Sequence, residues 1–131
     1  MSRRIRVYLA GPISKGGLAH NVNQATEAFI TLAKAGFAPW CPQWSIYAKP
    51  VPVLNVSPDS VYCHGTAQGN PQMSHEDWMG VDLSWVAVSE AVLRLPGEST
   101  GADQEVAYAR RLGIPVFDGI GALLAYYEKH G

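Results

Sequence analysis

The stretch from Asp82 to Pro115 constrains this chain more than any other. It holds, in order, the end of a helical pattern, the apolar run Ala91 to Leu95, a polar turn from Pro96 to Gly101, an amphipathic segment from Ala102 to Leu112, and the start of a second short run, Ile114 to Phe117. Two short apolar runs joined through a helix predict parallel neighbours, because parallel strands need a crossover between them. Glu105 falls three residues after Ala102 and four before Ala109, on the stripe of that helix that faces inward. A carboxylate on such a stripe is costly unless something compensates it.

The remainder of the chain repeats the alternation. Ile5 to Ala10 reads as a buried first strand closed by Gly11-Pro12. Val22, Ala25, Phe29, Leu32 and Ala33 share one face of a helix, for which Asn21 and Gln24 suggest a capping box and Gly36 a stop. Phe37 to Cys41 predicts a second strand. From Pro42 to Met73 the period is lost among five prolines, and a loop of this size in a compact domain is expected to be a lid or a subunit contact, with room for a short helical turn. Order returns at Ser74, an N-cap with Asp77 three positions on. Trp78, Val81 and Trp85 then form an apolar stripe with Asp82 at its edge, and a last helix from Gly121 to Tyr127 is expected to bury Leu123, Leu124 and Tyr127.

Strands and helices in this order predict a single α/β domain spanning residues 1–131, a flavodoxin-like or Rossmann-like three-layer sandwich with a four- to five-stranded, mostly parallel sheet. In the flavodoxin-like order the first and third strands are neighbours at the switch point where ligands bind. The turns after them, Gly11 to Ser14 and Gly97 to Gly101, would then meet at one crevice.

Charge and composition narrow the partners. A net charge of −1, from 11 acids against 10 bases, gives no broad footprint for a nucleic acid polymer or an anionic membrane. The apolar run after Arg3, Arg4 and Arg6 is too short for a signal peptide or a membrane span, so a cytoplasmic protein is expected. Cys41 and Cys63 are then expected to be free thiols. His64 and His75 with Cys41, Cys63, Glu76 and Asp77 match no usual zinc spacing, and no metal site is assigned.

The turn Gly97-Glu98-Ser99-Thr100-Gly101 has two readings. Ser99 and Thr100 before a helix are what capping requires, and the same glycines, hydroxyls and helix amides suit a small anion. It is neither a Walker loop nor a three-glycine dinucleotide fingerprint. Glu105 is likewise either a carboxylate near the helix start that grazes the core, or one held ionised by the helix dipole and aimed into the crevice, where it could attack an anomeric carbon. Asp82 is the second carboxyl available to such chemistry. Trp40 and Trp44 read mainly as packing at the sheet edge, with stacking on a base as the alternative.

The residues Val7-Tyr8-Leu9-Ala10-Gly11-Pro12-Ile13-Ser14, Met79, Asp82, Leu95-Pro96-Gly97, Ser99, Gly101-Ala102, Glu105, Ala109 and Leu112-Gly113 together resemble the nucleoside 2-deoxyribosyltransferase superfamily. The similarity covers nearly the whole chain outside Pro42 to Met73 and is greatest to a small phage and bacterial branch. Asp82-Leu83-Ser84-Trp85 and the spacing from Ser99 to Glu105 are also similar to the 2′-deoxynucleoside 5′-monophosphate N-glycosidases.

That resemblance implies Glu105 as a nucleophile, Asp82 as an acid or positioning group for the departing base, and Tyr8 near the sugar, with Gly11, Ile13, Ser99 and Gly101 binding substrate. It implies no cofactor and no metal. Ser99 stands where the transferases carry an acid facing the 5′ hydroxyl, so a small nucleotide is the expected partner, cleaved by hydrolysis; deoxyribosyl transfer and a non-catalytic nucleotide-binding module are the alternatives. Pro12 and Ser14 replace a serine and an arginine that hold phosphate in the monophosphate enzymes, and Lys49 is a candidate source of the missing charge. Glu90 replaces a usual aspartate. Because neighbouring subunits can complete the site in related enzymes, a homo-oligomer is expected.

Overall fold

The computed structural model describes residues 3–47 and 73–130; the predicted lid, with Lys49, Cys63 and His64, lies outside them apart from its two ends. The described elements are β1 (Arg6–Ala10), α1 (Leu18–Lys34), β2 (Ala38–Trp40), a 3-10 helix (Pro42–Tyr47), α2 (His75–Ala87), β3 (Ala91–Arg94), α3 (Thr100–Arg111), β4 (Val116–Phe117) and α4 (Ile120–His130). The strands form one sheet in the order β2-β1-β3-β4, and each pairing is parallel. This is the flavodoxin-like order, with β1 and β3 adjacent in the register Val7 to Ala91 through Ala10 to Arg94. No helix among the described residues is long and apolar enough to cross a membrane.

Period-two alternation along β1 and β3 divides the core between two faces. Val7, Leu9, Ala91 and Leu93 pack with Ala25, Ala28 and Leu32 of α1 and Leu123 of α4. Tyr8, Ala10 and Val92 point the other way, onto Val86 of α2 and Ala102, Val106 and Ala109 of α3. Helices on both faces make the three predicted layers, and they put a tyrosine of the central strand beside the helix that carries Glu105.

Three local expectations are corrected. Helix α1 begins at Leu18, four residues before the stripe, with Gly17 at its N-cap and no side-chain cap. Gly16 and Gly17 adopt positive φ, 89° and 116°, and turn the chain early enough for the extra helical turn. Asn21 is therefore inside the helix and not its cap, and its amide donates to the carbonyls of Ile13 and Lys15 at 3.0 and 2.8 Å. Gln24, its supposed capping partner, instead donates to Pro96 O at 3.1 Å. The stripe on α2 is also largely uncovered: Val81 and Trp85 are 43% and 47% exposed, and Val86 is the residue of this helix that is buried. Trp85 stacks on Trp40 at 5.2 Å between ring centroids. Finally, β2 and β4 are shorter than the apolar runs that announced them.

Other signals hold. Ser74 and Asp77 form a reciprocal capping box, Asp77 N to Ser74 Oγ at 3.1 Å and Ser74 N to Asp77 Oδ2 at 2.9 Å, a motif worth about 1 kcal/mol to the helix it starts. Trp44 packs on Phe29, ring centroids 4.6 Å apart, and donates to Thr26 Oγ1 at 2.9 Å. Cys41 is a buried free thiol. Glu90, at the opposite end of β3 from the crevice, takes two bonds from Arg3 at 2.5 and 2.9 Å and one from the Arg6 amide at 3.0 Å. Hydrogen bonding from Arg3 holds its carboxyl down at about 2. Its replacement of aspartate therefore concerns the N-terminal segment.

Candidate active site

Beyond the C-terminal ends of β1 and β3 lies a cavity of about 450 Å³. Its walls come from the turn after β1, the start of the 3-10 helix, α2, and the turn that opens α3. Of the residues expected to bind or react, Gly11, Ile13, Asp82, Ser99, Gly101 and Glu105 all line it. Tyr8 lies just beneath, fully buried, and its hydroxyl donates to Glu105 Oε2 at 2.8 Å.

The two turns are drawn together by close packing. Gly97 has φ of 115°, and a Cβ there would come within 2.7 Å of Pro12 Cγ. A side chain at Gly11 would meet Leu95 Cβ at 2.9 Å, so the lack of one at this position is accounted for by the residue that follows β3. Gln43, buried, donates to the carbonyls of Leu9 and Gly11 at 3.3 and 3.4 Å and ties the 3-10 helix to the end of β1.

Ser99 is the N-cap of α3, its Oγ accepting from Ala102 N at 3.0 Å. Capping uses a lone pair of the hydroxyl and leaves its hydrogen free to donate. The first-turn amides of Thr100 and Gly101 have no carbonyl to reach within the helix. Gly101 differs from Gly11 and Gly97: the nearest atoms to an added Cβ are Met79 Sδ at 3.9 Å and Ser99 Oγ at 4.0 Å, which is ordinary contact.

Glu105 is 5% exposed. Burial is the largest influence on it and pushes its carboxyl up to about 7, with the Asp82 charge adding to the rise and the Tyr8 hydroxyl and Arg94 opposing it. The net direction is thus towards the protonated acid, not the ionised one expected from the sequence, and the Tyr8 hydroxyl and Arg94 are what favour the anion. Asp82 is raised to about 6 by burial. The Tyr8 phenol is pushed far above its usual range by burial and then by the two carboxylates, so it remains a donor. Two raised, mutually repelling carboxyls hold about one proton between them near neutrality.

The cavity also contains residues to which sequence reasoning assigned no role in binding substrate. His75 and Trp78, one helical turn apart on α2, and Met79 line the wall on the Asp82 side. Lys15 lines the wall on the Ser99 side, with its Nζ 3.1 Å from Glu98 Oε1. Arg94 bonds the carbonyls of Leu95 and Gly97 and reaches Asp103 Oδ1 at 3.1 Å. A basic residue closing an otherwise apolar strand was the available signal for Arg94. Lys15 gave none beyond its place next to the turn.

No family model matches the chain, and no curated sequence is significantly similar to it. Among solved structures it is similar to the 2-deoxyribosyltransferase of the psychrotolerant bacterium Bacillus psychrosaccharolyticus, at 17% identity and a TM-score of 0.54, over 88% of this chain and 75% of that one. The likeness agrees with the all-parallel sheet and its flanking helices. This chain has the nucleoside 2-deoxyribosyltransferase-like fold.

Proposed function

We propose that the protein breaks the base-sugar bond of a nucleoside 5′-monophosphate by hydrolysis, with Glu105 as nucleophile. The observation that carries this reading is the buried Glu105 carboxylate, held by the Tyr8 hydroxyl at 2.8 Å in a cavity that also contains Asp82. Burial leaves Glu105 the more basic of the two, at about 7 against about 6 for Asp82. The reactive form, with Glu105 ionised and the proton on Asp82, is therefore the minor arrangement of the shared proton, and Tyr8 and Arg94 are what favour it.

The step follows from that arrangement. A Glu105 oxygen attacks C1′ of the sugar as the bond to the base nitrogen breaks; the bonding pair leaves with the base, and the proton on Asp82 neutralises it. Asp82, now ionised, takes a proton from water, whose oxygen attacks C1′ and releases Glu105. The products are free base and sugar 5-phosphate, and both carboxyls return to their starting states.

Ser99 and the first-turn amides of α3 suit a phosphate, since a hydroxyl and unpaired amides at a positive helix end favour an anion where an acidic side chain would repel it. The similarity to a deoxyribosyltransferase supports base-sugar chemistry and keeps transfer to a second base as the competing outcome.

Incubation with a panel of ribonucleoside and deoxynucleoside 5′-monophosphates, followed by chromatography of free base, tests the reading beside a Glu105→Gln control. Base release that vanishes in the control is expected. Exchange onto an added second base, faster than release to water, would replace hydrolysis by transfer; no release from any compound, with ligand-induced thermal shifts equal in wild type and control, would leave a binding module.

A further inference from the structure

The ion pair between Lys15 and Glu98 joins the two turns that close the crevice. We propose that it is an exchangeable pair: Glu98 occupies the lysine in the empty protein, and the substrate's phosphate displaces it, making Lys15 the cation that selects phosphorylated over unphosphorylated substrates. This rests on the monophosphate reading above.

Lys15 stands on a wall shared by two cavities, the main one and a neighbour of about 460 Å³ that Glu98 also lines. In the main cavity it accompanies Ser99, Thr100 and Gly101, the donors suited to an anion. Its root is fixed, because the Lys15 carbonyl accepts from the buried Asn21 amide at 2.8 Å. Its tip is not: the side chains of Lys15 and Glu98 are 64% and 79% exposed, and pairs that exposed are weak.

A dianionic phosphate that also receives the Ser99 hydroxyl and helix amides is a better partner for Lys15 than one solvated carboxylate. Arg94 cannot serve in its place. That guanidinium is spent on two carbonyls of its own turn and on Asp103. Apart from His75 on the opposite wall, Lys15 is the basic residue of the main cavity among the described residues. The cation sought in the long loop therefore has a source in the turn after β1, next to the position where an arginine was missed.

The test compares kcat/KM for deoxynucleoside 5′-monophosphates with kcat/KM for the matching nucleosides. Lys15→Ala is expected to lower that ratio by about tenfold or more, and Glu98→Gln to raise it by about two- to threefold by removing the competitor. Loss of activity on both substrates in equal measure in Lys15→Ala, or a fall of the ratio in Glu98→Gln, overturns the proposal. If the wild type releases no base from either substrate, the glycosidase reading fails on its own. Protection against thermal unfolding by inorganic phosphate then decides the lysine: protection of wild type but not of Lys15→Ala upholds its role, and protection of both or of neither overturns it.

Discussion

Tyr8 on β1 and Glu105 on α3 meet at 2.8 Å although 97 positions separate them, the hydroxyl donating to a carboxylate oxygen that solvent barely reaches. Strand β1 supplies the tyrosine because its side chains alternate between the two cores, and position 8 falls on the face that α3 covers. The hydroxyl is thus fixed by sheet packing before any substrate arrives.

Replacing Tyr8 by Phe removes the donor and keeps the ring. The Glu105 carboxyl then rises further, since a bond to its charged form is lost. The acid limb of the kcat/KM profile is expected to move up by about one pH unit, with activity at pH 7 down by roughly fivefold. A pH-rate profile of Tyr8→Phe checks this; an unshifted limb would show that the tyrosine does not act on Glu105's ionisation.

Glu105→Gln should stabilise the protein while destroying its chemistry. The folded carboxyl titrates at about 7 against 4.5 for a free one. A raised value means that both states are protonated below about 4.5, where burial of the group costs little, and that wild-type stability falls as pH rises through about 7. Glutamine carries no charge and still accepts from Tyr8. Its advantage is expected to be near zero at pH 4 and roughly 1–3 kcal/mol at pH 8, read from urea midpoints at the two pH values. An advantage of the same size at both would show that the charge is not the cause.

Gly97 and Gly101 should separate fold from function. Gly97→Ala places a Cβ 2.7 Å from Pro12 Cγ at a φ of 115°, and is expected to cost roughly 1–3 kcal/mol. Gly101→Ala meets nothing closer than 3.9 Å and gains helix propensity, so a stabilisation of about 0.5–1 kcal/mol is expected. Its methyl stands on the cavity wall, however, and substrate affinity should fall. Thermal unfolding paired with KM measures both; a Gly101→Ala protein with unchanged KM would place the substrate away from this turn.

The sequence disclosed more of the frame than of the wall. Apolar runs at β1 and β3 are continuous enough to mark buried strands, and the spacing of Glu105 between Ala102 and Ala109 put an acid on the inward stripe of its helix. Asp82, Ser99 and Gly101 were picked out by the family resemblance and not by spacing, and the structure puts all three on the cavity wall. Asn21 was misread because its bonds go to the Ile13 and Lys15 carbonyls, a tertiary arrangement made by two glycines at positive φ that propensity does not reveal. The α2 stripe misled for a related reason: periodicity records which residues share a face but not whether anything covers it. Lys15 and Arg94 escaped notice because a lone cation becomes informative only when its neighbours in space are known.

The pairing of β1 with β3, Val7 against Ala91, has a kinetic consequence. The cavity exists only after strands far apart in the sequence have been brought together, a closure of high contact order and hence among the slower events of folding. Helices α1 and α2 can form locally before it, but Tyr8 has no carboxylate to meet until it is complete. Recovery of activity during refolding should therefore follow the last cooperative phase, and an enzymatic signal from this crevice reports the whole sheet and not one part of it.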